Sequence, residues 1–421
     1  METSIHAIAC NKLLVLFATI AITGILCSKG SELINIPDVV LFLIVGIFLG
    51  PSVLKVIDIS QFQLENQLIL TFGSAFILYM GGKEVSLKVL KNVKISVFLL
   101  STLGVFITAF LMAQIIGLNF QINFMTCLLA GSIIASTDPA TIVPIFNQVK
   151  IDKKVKQTVI SESALNDATG AIMTVAVLSI ILRGHFSVEE NVYNLFIMVI
   201  VGVIVGLITG LVLLFLVNDS PHGIFKNYTP IISILSVIIA YEISTYLGGS
   251  GYMSCFIVGL VTGNKQNFKL WLSQKHYDAD CSVAETLGTI CRMCIFIILG
   301  SQVQLDILFE YFVPSLICVL GLIFIVRPLC VLACTLIDRS AKWNKKQLLF
   351  MMWVRETGVI PAALCGIITS MKVPGSDIIS SIVFMTILIT LILQGSTTKI
   401  VAKKLGLLEL NEQCAEDEKI N

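Results

Sequence analysis

A bilayer core about 30 Å thick is crossed by about 20 mostly apolar helical residues, and this chain supplies such stretches along almost its whole length. Thirteen segments fit that ruler: near 11–28, 37–54, 64–82, 95–117, 122–147, 157–182, 191–217, 229–247, 251–264, 283–301, 309–337, 346–370 and 376–398. The ninth is short, and its border with the eighth falls in Gly248-Gly249-Ser250-Gly251. Of the 421 residues, 56% are hydrophobic and 13% charged, against roughly 45–50% and about 25% in soluble domains. A soluble core has no use for so much apolar material, because surface-to-volume scaling leaves much of a globule facing water. Lipid is the solvent, and the expected fold is an all-α membrane protein of about thirteen transmembrane helices.

The basic residues give an independent reading of the crossings, since cytoplasmic loops carry an excess of Lys and Arg. One alternate set of loops holds Lys83, Lys88, Lys91 and Lys94, then Lys150, Lys153, Lys154 and Lys156, then Lys265, Lys269 and Lys275. It continues with Arg339, Lys342, Lys345 and Lys346, and with Lys399, Lys403 and Lys404. The opposite set holds little beyond Lys55, Arg183 and Lys372. The expected placement is therefore a multi-pass protein of the plasma (inner) membrane, N-terminus outside and C-terminus cytoplasmic. Residues 1–28 read as a membrane helix rather than a cleaved signal peptide, for want of a small-x-small site before residue 30. Residues 406–421 form a short polar cytoplasmic tail, and the rest is one polytopic unit.

A net charge of +1 lacks the concentrated basic face that nucleic acid requires. There is no G-x-x-x-x-G-K-[ST] loop for a nucleotide and no H-E-x-x-H zinc pattern. Cys291 and Cys294 form a lone C-x-x-C inside an apolar run and read as small buried hydrophobes. No cofactor is called for.

Against this apolar background stand Asp138, Glu162, Asp167, Glu242, Arg292, Arg327, Arg355 and Glu356. Each such charge near a helix centre costs about 2.5–3.5 kcal/mol on insertion scales. The group as a whole outlines a polar pathway. In Ala135-Ser136-Thr137-Asp138-Pro139-Ala140-Thr141, Pro139 removes a backbone donor and disfavours helix at Asp138, and Pro144 repeats the effect. The fifth segment is thus expected to be interrupted near its middle, which is tolerated only where protein or a water-filled cavity covers the backbone. In Ser161-Glu162-Ser163-Ala164-Leu165-Asn166-Asp167, Ser163 and Asp167 share a face at i,i+4 and make an oxygen-lined spot suited to a hard cation. Glu162 and Asn166 lie on a neighbouring face and look toward a basic partner. The twelfth segment, with Arg355-Glu356-Thr357-Gly358 before Pro361, again sets charge beside helix breakers. Paired broken segments in two halves point to a midplane site between inverted repeats.

Thr137-Asp138-Pro139, Glu162-Ser163-x-x-Asn166-Asp167, Arg327-Pro328 and Arg355 resemble, in order and spacing, the NhaP-type sodium/proton antiporters of the first monovalent cation:proton antiporter family. The resemblance covers essentially the whole chain. It implies that Asp167 is the carboxylate taking either cation or proton, with Asp138, Ser163 and Thr137 completing the cation shell. It implies a buried Glu162–Arg327 pair steadied by Asn166, with Arg355 near the second broken helix. It implies a homodimer in which dimerisation and six-helix core subdomains interleave along the chain and the core moves like an elevator. The transported ions are then Na+ (Li+ or K+ as the other candidates) and H+. Asn166 stands where electrogenic relatives have a second aspartate, which by resemblance implies electroneutral one-for-one exchange. Val354-Arg355-Glu356 departs from the Leu-Arg-Gly of many relatives.

Three other classes compete. A channel builds its filter from symmetric repeated loops, and no such stretch is present. A sodium-coupled symporter of a small solute wants a larger pocket than the small residues flanking Asp138 and Asp167 provide. An intramembrane aspartic protease wants Tyr-Asp and Gly-x-Gly-Asp, which this chain lacks at both aspartates.

Overall fold

A computed structural model describes residues 2–34, 37–57, 62–90, 93–137, 151–183, 188–219, 224–268, 273–338 and 341–407. The described elements are helices: α1 (Glu2–Ile34), α2 (Asp38–Leu49), α3 (Gln63–Glu84), α4 (Lys94–Phe120), α5 (Phe124–Ile133), α6 (Lys153–Arg183) and α7 (Val188–Val217). They continue as α8 (Thr229–Tyr246), α9 (Gly251–Gly263), α10 (Gln274–Ser301), α11 (Phe312–Ile337), α12 (Lys345–Trp353), α13 (Val359–Ser370) and α14 (Ser376–Lys404). Each of the thirteen apolar segments carries helix. Among the described residues, eight helices are long and apolar enough to cross a membrane, and four further apolar helices are shorter.

The differences from hydropathy are local and have local causes. The tenth segment was expected near 283–301, but α10 already begins at Gln274; its first turns are polar and escape a ruler that counts only apolar residues. The twelfth segment is two helices, the break that its charge beside helix breakers leads one to expect. α12 ends at Trp353, Val354–Gly358 are non-helical and buried, and α13 resumes at Val359. Pro361 sits in the first turn of α13, where a missing N–H costs least. α12 starts on a capping box, in which the Asn344 side chain accepts from Lys346 N and the Gln347 side chain accepts from Asn344 N.

The helices approach through small residues, as expected where lipid supplies no hydrophobic drive and packing must. A Cβ on Gly259 of α9 would stand 2.0 Å from the Tyr79 carbonyl oxygen of α3, and one on Gly82 would stand 2.2 Å from that of Phe256. The pair α2 and α10 repeats the device at Gly46 and Gly300, whose Cβ positions fall 2.4 and 2.3 Å from the carbonyls of Ile297 and Leu43. α5 lies between α4 and α6, and α13 is held among α3, α10 and α14. Both ends that face a break are therefore interior. α11 and α14 each contain a π-helical turn, at Leu322–Val326 and Thr390–Gly395. Such turns shift the side chains beyond them around the helix axis and cluster at functional sites; the first immediately precedes Arg327.

Candidate functional site

α5 starts on Asn123, whose side chain accepts from Met125 N at 2.9 Å, and stops at Ile133. Ala135, Ser136 and Thr137 then run without helix and fully inside the protein. The helix of the fifth segment ends ahead of Pro139, as expected; the remainder of that segment lies outside the described residues. Asp138, with everything to Lys150, lies outside the described residues, and so does its expected share in the cation shell.

α6 lays one face on this break. Ser163 Oγ donates to the Thr137 carbonyl at 2.5 Å. Asn166 takes the Thr137 amide on Oδ1 at 3.1 Å and donates from Nδ2 to the Thr137 hydroxyl at 2.8 Å. One turn on, a Cβ at Gly170 would stand 3.1 Å from Ser136 Cβ. Positions 163, 166, 167 and 170 are one helical face by i,i+3 and i,i+4 spacing, so Asp167 sits in the middle of the surface that covers the break, 8% exposed. The expectation that Asn166 turns with Glu162 toward a basic partner is corrected here. Asn166 is three residues from Ser163 as well as four from Glu162, and the break claims it.

Glu162 does find the basic partner. Arg327 donates from both terminal nitrogens to the two carboxylate oxygens, the Nη2–Oε2 bond measuring 3.1 Å, with both side chains buried. Such forked pairing suits a guanidinium and fixes both groups. The same guanidinium donates from Nε to the Met351 carbonyl at 3.0 Å, closing the C-terminal end of α12. Arg355 does the matching task at the other break. Its Nη2 donates to the carbonyls of Ile134 and Ala135 at 2.7 and 3.1 Å, just past the end of α5. Helix C-termini carry about half a negative charge and unsatisfied carbonyls. Each half-helix is therefore capped by an arginine from elsewhere in the chain, and Arg355 carries the second break directly onto the first.

Sequence reading missed the residues of α14 that hold the second break. Gln394 donates to the Trp353 carbonyl at 2.6 Å, and the Thr390 hydroxyl accepts the Thr357 amide at 3.1 Å. Their signal was available: Thr386, Thr390, Gln394 and Thr398 recur every fourth residue and are all fully buried. Glu356 is also fully buried, its carboxylate 3.3 Å from where a Cβ on Gly395 would stand. Two other membrane charges leave the pathway. Glu242 is exposed on the outer surface of α8. Arg292 is half-buried rather than packed in the core, and donates to Thr289 of its own helix at 3.3 Å.

A buried carboxylate on the α6 face that covers the first break is a group whose chemistry suits a small hard cation or a proton. Comparison with known proteins bears on which use it serves. The family model described as the transmembrane sodium/hydrogen exchanger matches residues 15–404. Na(+)/H(+) antiporter 1 of Methanocaldococcus jannaschii is 29% identical, over 91% of this chain and 93% of its own. The K(+)/H(+) antiporter NhaP2 of Shewanella sp. (strain MR-4) is 26% identical, over 93% of this chain and 67% of its own. The solved structure of the sodium proton antiporter MjNhaP1 from Methanocaldococcus jannaschii at pH 8 superposes with a TM-score of 0.80 at 28% identity, covering 94% of this chain and 99% of that one.

Proposed function

This chain belongs to the transmembrane sodium/hydrogen exchanger family, and from that premise we propose that Asp167 is the carboxylate that a sodium ion and a proton occupy in turn. The protein is a secondary antiporter of a monovalent cation against protons, not an enzyme. The relatives named above are antiporters, which leaves the symporter reading without support.

The observation that carries the Asp167 assignment is the face of α6 laid on the first break, with Ser163, Asn166 and Gly170 touching Ser136 and Thr137 around it. Ser163 and Thr137, which meet on the same face of α6, would supply further oxygens to a cation there, with Asp138 as the expected fourth member. Loaded with either ion, the carboxylate is neutralised and crosses the apolar barrier; empty and deprotonated, it is a net negative charge that costs several kcal/mol to carry. That difference enforces exchange over leak. Glu162 is committed to Arg327, and Asn166 is neutral, so the break is covered by one α6 carboxylate. This supports electroneutral one-for-one exchange. The arrangement is read as a homodimer, with dimerisation and core subdomains interleaved, in the plasma (inner) membrane, N-terminus outside and the basic loops and C-terminus in the cytoplasm.

Purified protein in proteoliposomes tests this. A pH dye follows an imposed proton gradient as sodium, lithium, potassium or choline is added, with Asp167→Ala alongside. Sodium is expected to collapse the gradient in the wild type alone. Transport surviving undiminished in Asp167→Ala sinks the assignment, and a response to potassium alone replaces the cation but keeps the site.

A further inference from the structure

The two buried arginines of the breaks are not balanced in the same way. Arg327 meets the Glu162 carboxylate in a fork. Arg355 is equally buried, and its contacts among the described residues are the Ile134 and Ala135 carbonyls rather than a carboxylate. A guanidinium held by carbonyls keeps its full charge, and a full charge at membrane depth is costly unless an opposite one is near. The next residue supplies it. Glu356 is fully buried in the same non-helical stretch, its Cα about 3.8 Å from that of Arg355 along the chain. The two side chains go to different neighbours. Arg355 reaches the end of α5, whereas the Glu356 carboxylate rests on α14, where Oε1 lies 3.3 Å from the position of a Cβ on Gly395. That glycine closes the π-helical turn Thr390–Gly395 and leaves the room the carboxylate occupies.

α14 also fixes the backbone on both sides of this pair. Gln394 donates to the Trp353 carbonyl at 2.6 Å, the Trp353 indole N–H donates to the Thr397 hydroxyl at 3.0 Å, and Thr390 takes the Thr357 amide at 3.1 Å. Residues 353 and 357 bracket 355 and 356, so neither charge shifts without breaking these bonds. The second break thus turns a positive end to the first break and a negative end to α14. Among the described residues of the two breaks and α6, Glu162 cancels Arg327 and Glu356 cancels Arg355, which leaves Asp167 over. A vacant Asp167 is therefore net negative although an arginine reaches the same break, and exchange without leak requires that.

We propose that Glu356 is the counter-charge of Arg355, a positioning residue that cancels the arginine's repulsion of a cation at Asp167 and so sets the affinity for sodium. Where many relatives carry Leu-Arg-Gly, Val354-Arg355-Glu356 adds this carboxylate. The inference rests on the Asp167 reading above, and the test separates the two. Sodium KM and maximal rate are measured in proteoliposomes at alkaline pH, where protons compete least. Glu356→Gln, of nearly equal size, is expected to raise the sodium KM severalfold, because an uncancelled guanidinium repels the cation. That factor is expected to exceed any change in maximal rate. Glu356→Asp keeps the charge and is expected to stay near wild type. Arg355→Gln is expected to lower the KM, and Arg355→Gln/Glu356→Gln to bring it back toward wild type; that comparison serves even where Glu356→Gln alone does not accumulate folded. An unchanged KM in Glu356→Gln, or a double variant with the KM of Arg355→Gln, overturns the inference. So does a loss of maximal rate alone, the mark of a packing role. Undiminished transport in Asp167→Ala removes instead the reading beneath it.

Discussion

Asn166 holds Thr137 with both ends of its amide, accepting from the backbone N–H at 3.1 Å and donating to the hydroxyl at 2.8 Å. With Ser163 on the Thr137 carbonyl, each polar group of that residue is in the grip of α6. An unwound strand at membrane depth needs such partners, because no water or lipid supplies them.

Removing the grip is expected to loosen the site more than the fold. Asn166→Ala strips two hydrogen bonds and leaves a buried amide donor, a cost of about 1–3 kcal/mol. If this falls on cation binding, the sodium KM rises about tenfold or more. The measurement is gradient collapse against sodium concentration, and an unchanged KM argues that Thr137 is held by the strand itself.

The Glu162–Arg327 pair is expected to behave as a structural clamp. Breaking it from one side, as Glu162→Gln or Arg327→Ala, strands a buried charge and costs about 3–5 kcal/mol. Thermal unfolding in detergent should show a large drop for either single variant. The double variant Glu162→Gln/Arg327→Met should recover much of it. A double variant as unstable as the sum of the singles would mean that the two side chains do not act as a pair.

Arg355 is expected to matter for transport through the end of α5. Arg355→Lys keeps a charge but replaces the rigid planar guanidinium, whose Nη2 alone donates to both Ile134 and Ala135, by a flexible ammonium. Exchange should fall about tenfold, with melting changed by no more than the loss of one buried bond, about 1–3 kcal/mol. Full activity in Arg355→Lys would show that a point charge suffices there.

At the α3–α9 crossing the expectation is purely steric. A side chain at Gly259 meets backbone, not a movable side chain, at 2.0 Å. Gly259→Val should therefore force the helices apart and lower folded yield severely, whereas Gly248→Ala, with nothing within 4 Å but a positive φ of 78°, should cost only about 1 kcal/mol of backbone strain. Yield and melting temperature of the two variants, measured side by side, check this.

The helical class, the membrane and the two places where helix must fail were legible in the chain because each is a local property. Apolar run length sets the first two, and proline or glycine beside charge sets the third, at Thr137-Asp138-Pro139 and Arg355-Glu356-Thr357-Gly358. Glu162 and Asp167 were legible as costly charges that demand partners. Which partner each takes was not legible, because Glu162 and Arg327 are 165 positions apart and spacing along one helix says nothing about the other. Asn166 shows the limit most clearly: its spacing allows a face shared with Glu162 or with Ser163, and only the arrival of Thr137 decides between them. The π-helical turns before Arg327 and at Gln394, the arginine on each half-helix end, and the seat of Glu356 against α14 are likewise tertiary decisions. They depend on which backbone carbonyls the packing of distant helices leaves without a donor, and that is a property of the assembled bundle rather than of any segment in it.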